Sequence, residues 1–443
     1  MQKTRTTDPG LFQLNGKPGW GVSFPQAMQH VLAMLAGNIT PPILLAQALK
    51  LPDDQRILLI QAAMIIGGIT TLIQLFPIWR FGMGLPNVMG VAFAYMPVLL
   101  SIGLSYGISA IFGSQLVAAF LSIFIGMGIG KIRKFFPPIV SGTVVLSIGL
   151  SLYNTAITYM SGGSGAGDRF GSPTFWIVAL VTLGVTLACN FFGKGYIKVS
   201  GMLIGIAAGY ILSLVLGGGM IKFDNVLTSG WIALPRFFSF GMSFPVGAII
   251  SMTLMYIVQA VQTIGDVSST AIGGFGREST DRELGGAIMG QGLCGMLGAC
   301  IGGLPTDPYS QNVGLIVTSK VVAKRVFVIV GALMLAAGLI PKFGALMTTI
   351  PYSVLGGATV TVFAAITMSG ISLITQQPMN YRNKMIVGIS LALGVGIYMV
   401  PNSLQFFPLA VQDIIGKSPI ILSFVVSFLL NIIVPKDDTA EED

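Results

Sequence analysis

The sequence predicts an all-α protein that crosses a membrane many times, and three observations lead there. Apolar residues make up 53% of the 443-residue chain, and the mean hydropathy is +0.83. Charged residues make up 9%, against roughly 25% in a soluble domain. Apolar runs of about 20 residues, the length a helix needs to cross hydrocarbon, recur along nearly the whole chain. Backbone in lipid must satisfy its own hydrogen bonds, which selects helices for such runs.

Fourteen spans are expected in order, at about 26–48, 54–76, 86–102, 106–128, 138–160, 174–192, 196–216, 244–266, 284–302, 309–320, 325–346, 351–373, 384–401 and 418–434. Residues 1–23 carry Lys3, Arg5, Asp8 and Lys17 and read as a polar tail rather than a cleavable signal. With that end inside, 17 of the 24 Lys and Arg residues fall on the cytoplasmic side and 7 on the other. The clusters Lys131/Arg133/Lys134 and Lys320/Lys324/Arg325 fall inside. This positive-inside bias accounts for the net charge of +8 without a nucleic-acid partner, fits an even number of spans, and puts both termini in the cytoplasm. Cys189, Cys294 and Cys300 lie in apolar stretches, which argues against a disulfide scaffold or a metal cluster. A single histidine, His30, excludes the usual multi-histidine metal sites. No metal or other cofactor is expected.

One local pattern occurs twice. Gly84-Leu85-Pro86 opens a segment that continues to Phe93, and Gly303-Leu304-Pro305 opens another, close to half the chain later, that continues to Asn312. Later in each half, Pro137-Pro138 and Pro351 mark helix starts at a similar separation. Two halves of seven spans, an odd number, must be inverted relative to each other. Proline resists the helix interior, and broken backbone survives in a bilayer only where protein or a polar cavity satisfies it. Paired interruptions of this kind point to a transporter's midplane site. An extended stretch and then a half-helix are expected in each, at about 86–91 then 92–102, and 305–311 then 312–320. Their amino ends near Phe93 and Asn312 would aim free amides and positive dipole at a ligand.

Of the 16 Asp and Glu residues, only Asp266 and Asp307 fall in stretches placed within the membrane. A carboxylate there is costly, and by default a functional-site candidate. Gln262 and Asp266 stand at i and i+4 and share a helix face. Gln311 and Asn312 put two more amides at the start of the second half-helix. A side-chain amide donates and accepts together, which suits a planar heterocycle whose edge alternates N–H and C=O, while Phe93 could stack on the ring. A single buried amide is more often glue between helices; the convergence of several with broken helices and an acid favours a ligand site. His30 is read as support for a neighbouring polar group. Gln291 lies on a helix of small residues, Gly285, Gly286, Gly292, Gly295 and Gly298, and is a candidate to face the site. Asp307 is expected near the outer end of its segment, solvated, and the acidic stretch Asp437 to Asp443 is a solvated tail.

These residues carry a resemblance. Gln29-His30, Gln262-Thr263-Ile264-Gly265-Asp266, and Ser310-Gln311-Asn312-Val313-Gly314-Leu315 with Thr318 and Lys324-Arg325 behind it resemble the nucleobase–ascorbate transporter (nucleobase–cation symporter) family, in particular its bacterial xanthine and uric acid permeases. The likeness runs from about residue 24 to 434. It implies a core domain of spans 1–4 and 8–11 (24–135 and 241–348) and a gate domain of spans 5–7 and 12–14 (136–240 and 349–434). Short strands in the third and tenth spans, a homodimer in the cell membrane, and proton or sodium symport are also implied. Gln262 and Gln311 correspond to substrate binders, with Asn312, Phe93 and Ala92 beside them. Asp266, His30 and Gln291 correspond to residues linked to the coupling ion. The family usually has Glu at the place of Gln262 and often Asp at that of Gln291, so a neutral amide stands where an acceptor pair is usual.

The expected function is therefore import of a purine base, xanthine or urate, by secondary active transport. The rivals are a uracil-type pyrimidine permease of the same family, an inorganic-anion exchanger of the same fold, and an ion channel. A membrane enzyme is disfavoured, since no Cys–His or Ser–His pair, metal set or carboxylate dyad is present.

Overall fold

The prolines and glycines that punctuate the apolar runs set where helices begin and end. In a computed structural model the chain is described over residues 8–435, apart from 130–136, 164, 218–220, 222, 409–410 and 417. The cluster Lys131/Arg133/Lys134 and the tail Asp437 to Asp443 lie outside the described residues. The first half runs α1 (Trp20–Ala48), α2 (Asp53–Leu75), β1 (Met89–Val91), α3 (Met96–Tyr106), α4 (Ile108–Met127), α5 (Pro138–Met160), α6 (Pro173–Phe192) and α7 (Gly201–Leu216). The second runs α8 (Val246–Phe275), α9 (Asp281–Ile301), β2 (Thr306–Pro308), α10 (Ser310–Ser319), α11 (Lys324–Gly338), α12 (Pro341–Thr348), α13 (Tyr352–Ile374), α14 (Tyr381–Met399) and α15 (Pro419–Ile433).

Eight of these helices, α1, α2, α4, α5, α6, α8, α9 and α13, are long and apolar enough to cross a bilayer. α11 and α12 make one further apolar stretch, bent by 77° where Pro341 opens α12. The sharp turn between α8 and α9 has a local cause at each end. Gly276 closes α8 in the left-handed conformation, and Thr280 with Glu283 forms a capping box that starts α9.

Packing follows the halving of the sequence. α4 packs on α9 as α11 packs on α2; α8 on α4 as α1 on α11; α6 on α7 as α14 on α15; α8 on α10 as α1 on α3. Exchanging each first-half element for its second-half counterpart maps these pairs onto one another, and α5–α13, α2–α9 and β1–β2 onto themselves. The strands are antiparallel with Met89 opposite Pro308, Gly90 opposite Asp307 and Val91 opposite Thr306. Met89 and Pro308 are as far apart in the chain as Gly84 and Gly303, the openings of the two Gly-Leu-Pro turns.

The amino-terminal segment differs from expectation. α1 begins at Trp20, and residues 8–19 fold back on the protein instead of trailing as a polar tail. The reason is Leu11, 1% exposed, whose carbonyl accepts from the Val322 and Ala323 amides at 2.9 and 3.1 Å. Arg325 donates to the Pro18 carbonyl at 2.8 Å and lies 4.2 Å over the Trp20 ring. The strap thus pins the linker that follows α10. Asp8 organises it, accepting from the Gly10 and Gly19 amides at 3.0 Å each. The Gly19 and then the Gly10 hydrogen bonds hold its carboxyl below the usual carboxylate range. A carboxyl depressed on folding adds stability above its unfolded range and loses it as pH falls through the folded value. The strap is therefore expected to loosen under acid and in Asp8→Asn at neutral pH. Hydrogen exchange of residues 8–19 checks this; protection unchanged in the variant would count against it.

Candidate functional site

Polar residues on α1, α2 and β2 first make the interrupted backbone tolerable. The Val91 amide donates to Asn38 Oδ1 at 2.7 Å, and the Met89 amide to Thr71 Oγ1 at 3.0 Å. The Tyr309 amide donates to the Val88 carbonyl at 3.0 Å, and its hydroxyl to the Val91 carbonyl at 2.8 Å. The Ala92 amide donates to the Pro305 carbonyl at 3.1 Å. The strand pair is held from the side as well as along its ladder. Pro308 ends β2 and Tyr309 is an extended N-cap, so α10 begins at Ser310, earlier than the expected 312.

Beside this pair lies a cavity of about 120 Å³. Gln259 and Gln262 reach it from α8, Ala92 and Phe93 from the turn after β1, and Ser310 and Gln311 from the first turn of α10. Val362, Ala365, Ile366 and Ser369 close it, recurring at helical spacing on α13. Phe93 meets Phe363 of α13 edge-on at 5.6 Å. A second cavity, about 520 Å³, shares Gln311, Val362 and Ala365 and runs to Gln29, Lys198 and Thr318. Lys198, in the short helix Tyr196–Val199, and Thr318, near the end of α10, lie on the side where α1 begins.

Behind the cavity sits a buried polar network. Asp307, 3% exposed, accepts at Oδ1 from Gln291 Nε2 at 2.6 Å and from Thr263 Oγ1 at 2.8 Å. Thr263 and Gln291 also touch each other at 3.0 Å. Asp266 is buried one turn further along α8, close to Ser310. His30 is buried too, with Nδ1 3.0 Å from Asn312 Nδ2, which also donates to the His30 carbonyl at 3.0 Å. A ring nitrogen facing an amide donor is an acceptor there.

The expected site residues thus separate into two groups. Gln262, Gln311, Phe93 and Ala92 share the cavity wall. Gln291 and Asp266 lie in the polar layer behind it, and His30 faces Asn312. Two expectations are corrected. Asn312 is no cavity-wall residue, because the helical rise from Ser310 turns its amide towards His30. Asp307 is not solvated at an outer end; strand alternation directs it inward to Thr263 and Gln291, and it also lines the cavity. Gln259, at i−3 from Gln262 and so on the same face, is a cavity residue outside the expected set, although its spacing signals it.

A model described as "Permease family", for xanthine and uric acid permeases, matches residues 22–403. The chain belongs to this permease family, the nucleobase–ascorbate transporters. The permease is 34% identical to a xanthine permease of Bacillus subtilis over 94% of each chain. It is 33% identical to the uric acid permease PucJ of that organism, over 92% of this chain and 91% of the other. It is 30% identical to the xanthine permease XanQ of Escherichia coli K12, over 96% and 94%. Its relatives being permeases, it is a multi-pass membrane transporter and not an enzyme. Among solved structures, the transmembrane domain of a cyanobacterium bicarbonate transporter, BicA, superposes with a TM-score of 0.61 at 14% identity, over 95% of the permease and 100% of that domain. The murine Slc26a9 anion transporter in its inward-facing state gives 0.63 at 12%, over 97% and 73%. The permease shares their fold.

Gly90 offers a direct test of the crossing. A Cβ there would lie 2.2 Å from Tyr309 Cε2 and 2.8 Å from Asn38 Oδ1. Gly90→Ala is expected to cost about 1–3 kcal/mol by overpacking, lowering the melting temperature of the purified permease. Gly265→Ala, with nothing within 4 Å of its Cβ, should melt like the parent; equal melting of both variants would refute the crowding.

Proposed function

We propose that the permease is a secondary active transporter that brings a purine base, xanthine or urate, into the cell by proton- or sodium-coupled symport. One observation carries this: Gln262 of α8 and Gln311 of α10 reach a single small cavity together with the Phe93 ring. Two amides from different elements match a flat heterocycle whose edge alternates donors and acceptors, and an aromatic side chain suits its face. Relatives named for xanthine and uric acid, at 33% and 34% identity over almost the whole chain, support the purine class.

The chain would hold fourteen segments in two inverted seven-segment repeats, with both termini cytoplasmic in the cell membrane and two copies forming a homodimer. A core of α1–α4 and α8–α12 would carry the cargo, and a gate of α5–α7 and α13–α15 would close on it in turn. The larger cavity beyond Gln311 is then the path to the cytoplasm. Asp266, buried and outside the ion pairs of the described residues, would link cargo to the driving ion, and Ser310 would join it to the half-helix that carries Gln311. His30 positions Asn312 and thereby the same half-helix.

Two measurements test the reading. In Gln262→Ala and Gln311→Ala, removal of a cavity-facing hydrogen-bond partner is expected to weaken cargo binding by about tenfold each. Counterflow of labelled xanthine in proteoliposomes reads this, with unlabelled urate and uracil as competitors. Uracil competing far better than either purine would move the cargo to the pyrimidines. Asp266→Asn is expected to abolish uphill accumulation; full accumulation by that variant would remove Asp266 from coupling.

A further inference from the structure

We propose that Asp307 carries the coupling proton, in contact with the cargo cavity; this rests on the transport reading above and adds a residue to it. Three features of the structure lead there. Asp307 is the acid among the residues lining the 120 Å³ cavity. It is 3% exposed, yet among the described residues the ion pairs are Arg56–Asp53 and Arg277–Glu283, both elsewhere. Its two oxygens are unlike: Oδ1 accepts from Gln291 and Thr263, whereas Oδ2 is buried and meets no hydrogen-bond partner among the described residues.

A carboxylate buried without a counter-charge is strongly disfavoured and takes up a proton instead. The groups facing Asp307 sharpen the point. Thr263 comes from α8, Gln291 from α9, Tyr95 from the turn before α3, Tyr309 from the end of β2, and Asp266 from the next turn of α8. None is a cation, and Asp266 is a second acid whose own Oδ2 is also unpartnered. Two uncompensated carboxyls in one polar layer favour a shared proton over two charges.

The asymmetry of the carboxyl selects a proton over a metal cation. Gln291 and Thr263 present hydrogens to Oδ1 rather than lone pairs. That leaves Oδ2 as the free acceptor, which suits one proton and not a coordination shell of several oxygens. Protonated, Asp307 turns from acceptor to donor at Oδ2. The same change alters what the cavity offers a heterocycle, so cargo affinity and proton occupancy are joined in one group. Thr263 and Gln291 are positioning residues: they fix Oδ1 and thereby the direction of Oδ2.

The test uses full-length permease in proteoliposomes and compares the parent, Asp307→Asn and Asp266→Asn. Asp307→Asn keeps the shape of the side chain. It is expected to lose both uphill accumulation and the dependence of xanthine binding on pH. Accumulation retained with the parent's pH profile would overturn the proposal. So would accumulation driven by a sodium gradient and indifferent to a proton gradient. A second readout needs no cargo: among the infrared bands of protonated carboxyls near neutral pH, one component should vanish in Asp307→Asn and persist in Asp266→Asn. Its persistence in Asp307→Asn would also overturn the proposal. Absence of xanthine and urate transport in the parent would instead refute the cargo reading, and the band would still decide the proton site. If Asp307→Asn misfolds, the exchange Asp307→Gln with Gln291→Asp moves the acid to the other end of a 2.6 Å hydrogen bond. That variant should restore pH-dependent binding, and a pH-independent result from a folded exchange protein would count against the proposal.

Discussion

Backbone amides that leave a helix inside a bilayer must find acceptors in the protein, since each unsatisfied one costs several kcal/mol. Prolines 86, 305 and 308 deny the two interrupted segments a helical answer. They pair with each other instead, and Asn38, Thr71 and Tyr309 bond the backbone of that pair from the side. A strand pair of this kind needs one strand from each half of the chain. Neither half can complete its backbone alone, so the cavity exists only in the assembled molecule. The ladder also sets where the following helices begin, and thus where Gln311 stands.

The polar stripe on α8 divides its work by angle. Gln259 and Gln262 reach the cavity, whereas Thr263 and Asp266, one residue and one turn further round, face the strands and α10. One helix therefore lines the cavity with one edge and the interior polar layer with the other. Rotation or displacement of α8 would change both at once. A neutral amide at Gln291 avoids placing a third acid in this layer, where no ion pair among the described residues offsets those already present.

Much of this is legible in sequence because its causes are local. Apolar runs specify helices, the doubled Gly-Leu-Pro turn marks the interruptions, and the i, i+3 spacing of Gln259 and Gln262 fixes their shared face on the cavity. The burial of Asp307 is not legible, because it depends on a partner strand in the other half of the chain: β1 decides which way β2 side chains point. The orientation of Asn312 escapes for a smaller reason, a helix that starts earlier and turns the amide from cavity to His30. The folding back of residues 8–19 rests on one leucine, Leu11, contacting the linker at Val322 and Ala323 in the opposite half, and no local pattern encodes that.

The glycines argue for where movement occurs. A Cβ on Gly126 of α4 would lie 2.8 Å from the Gly285 carbonyl of α9, and one on Gly292 of α9 2.7 Å from the Ala119 carbonyl of α4. In the proposed gate, a Cβ on Gly142 of α5 would lie 2.8 Å from the Gly370 carbonyl of α13. Helices packed backbone to backbone cannot slide past one another without losing close contact along their length. The connection before α8 is tied to the proposed core by two backbone hydrogen bonds, Ala233 to the Leu339 carbonyl at 3.0 Å and Phe238 to the Cys300 carbonyl at 2.7 Å, whereas other contacts between the two groups are made by side chains, among them the Phe93–Phe363 ring edge, the Tyr159 hydroxyl on the Leu44 carbonyl at 3.2 Å, and the Tyr196 hydroxyl on the Pro25 carbonyl at 3.0 Å. Side-chain tips of this sort can part and reform at small cost. The softer seam passes through the cavity, so relative motion of two stiff bodies would open or shut the place where Gln262 and Gln311 meet without disturbing the strand pair that holds them.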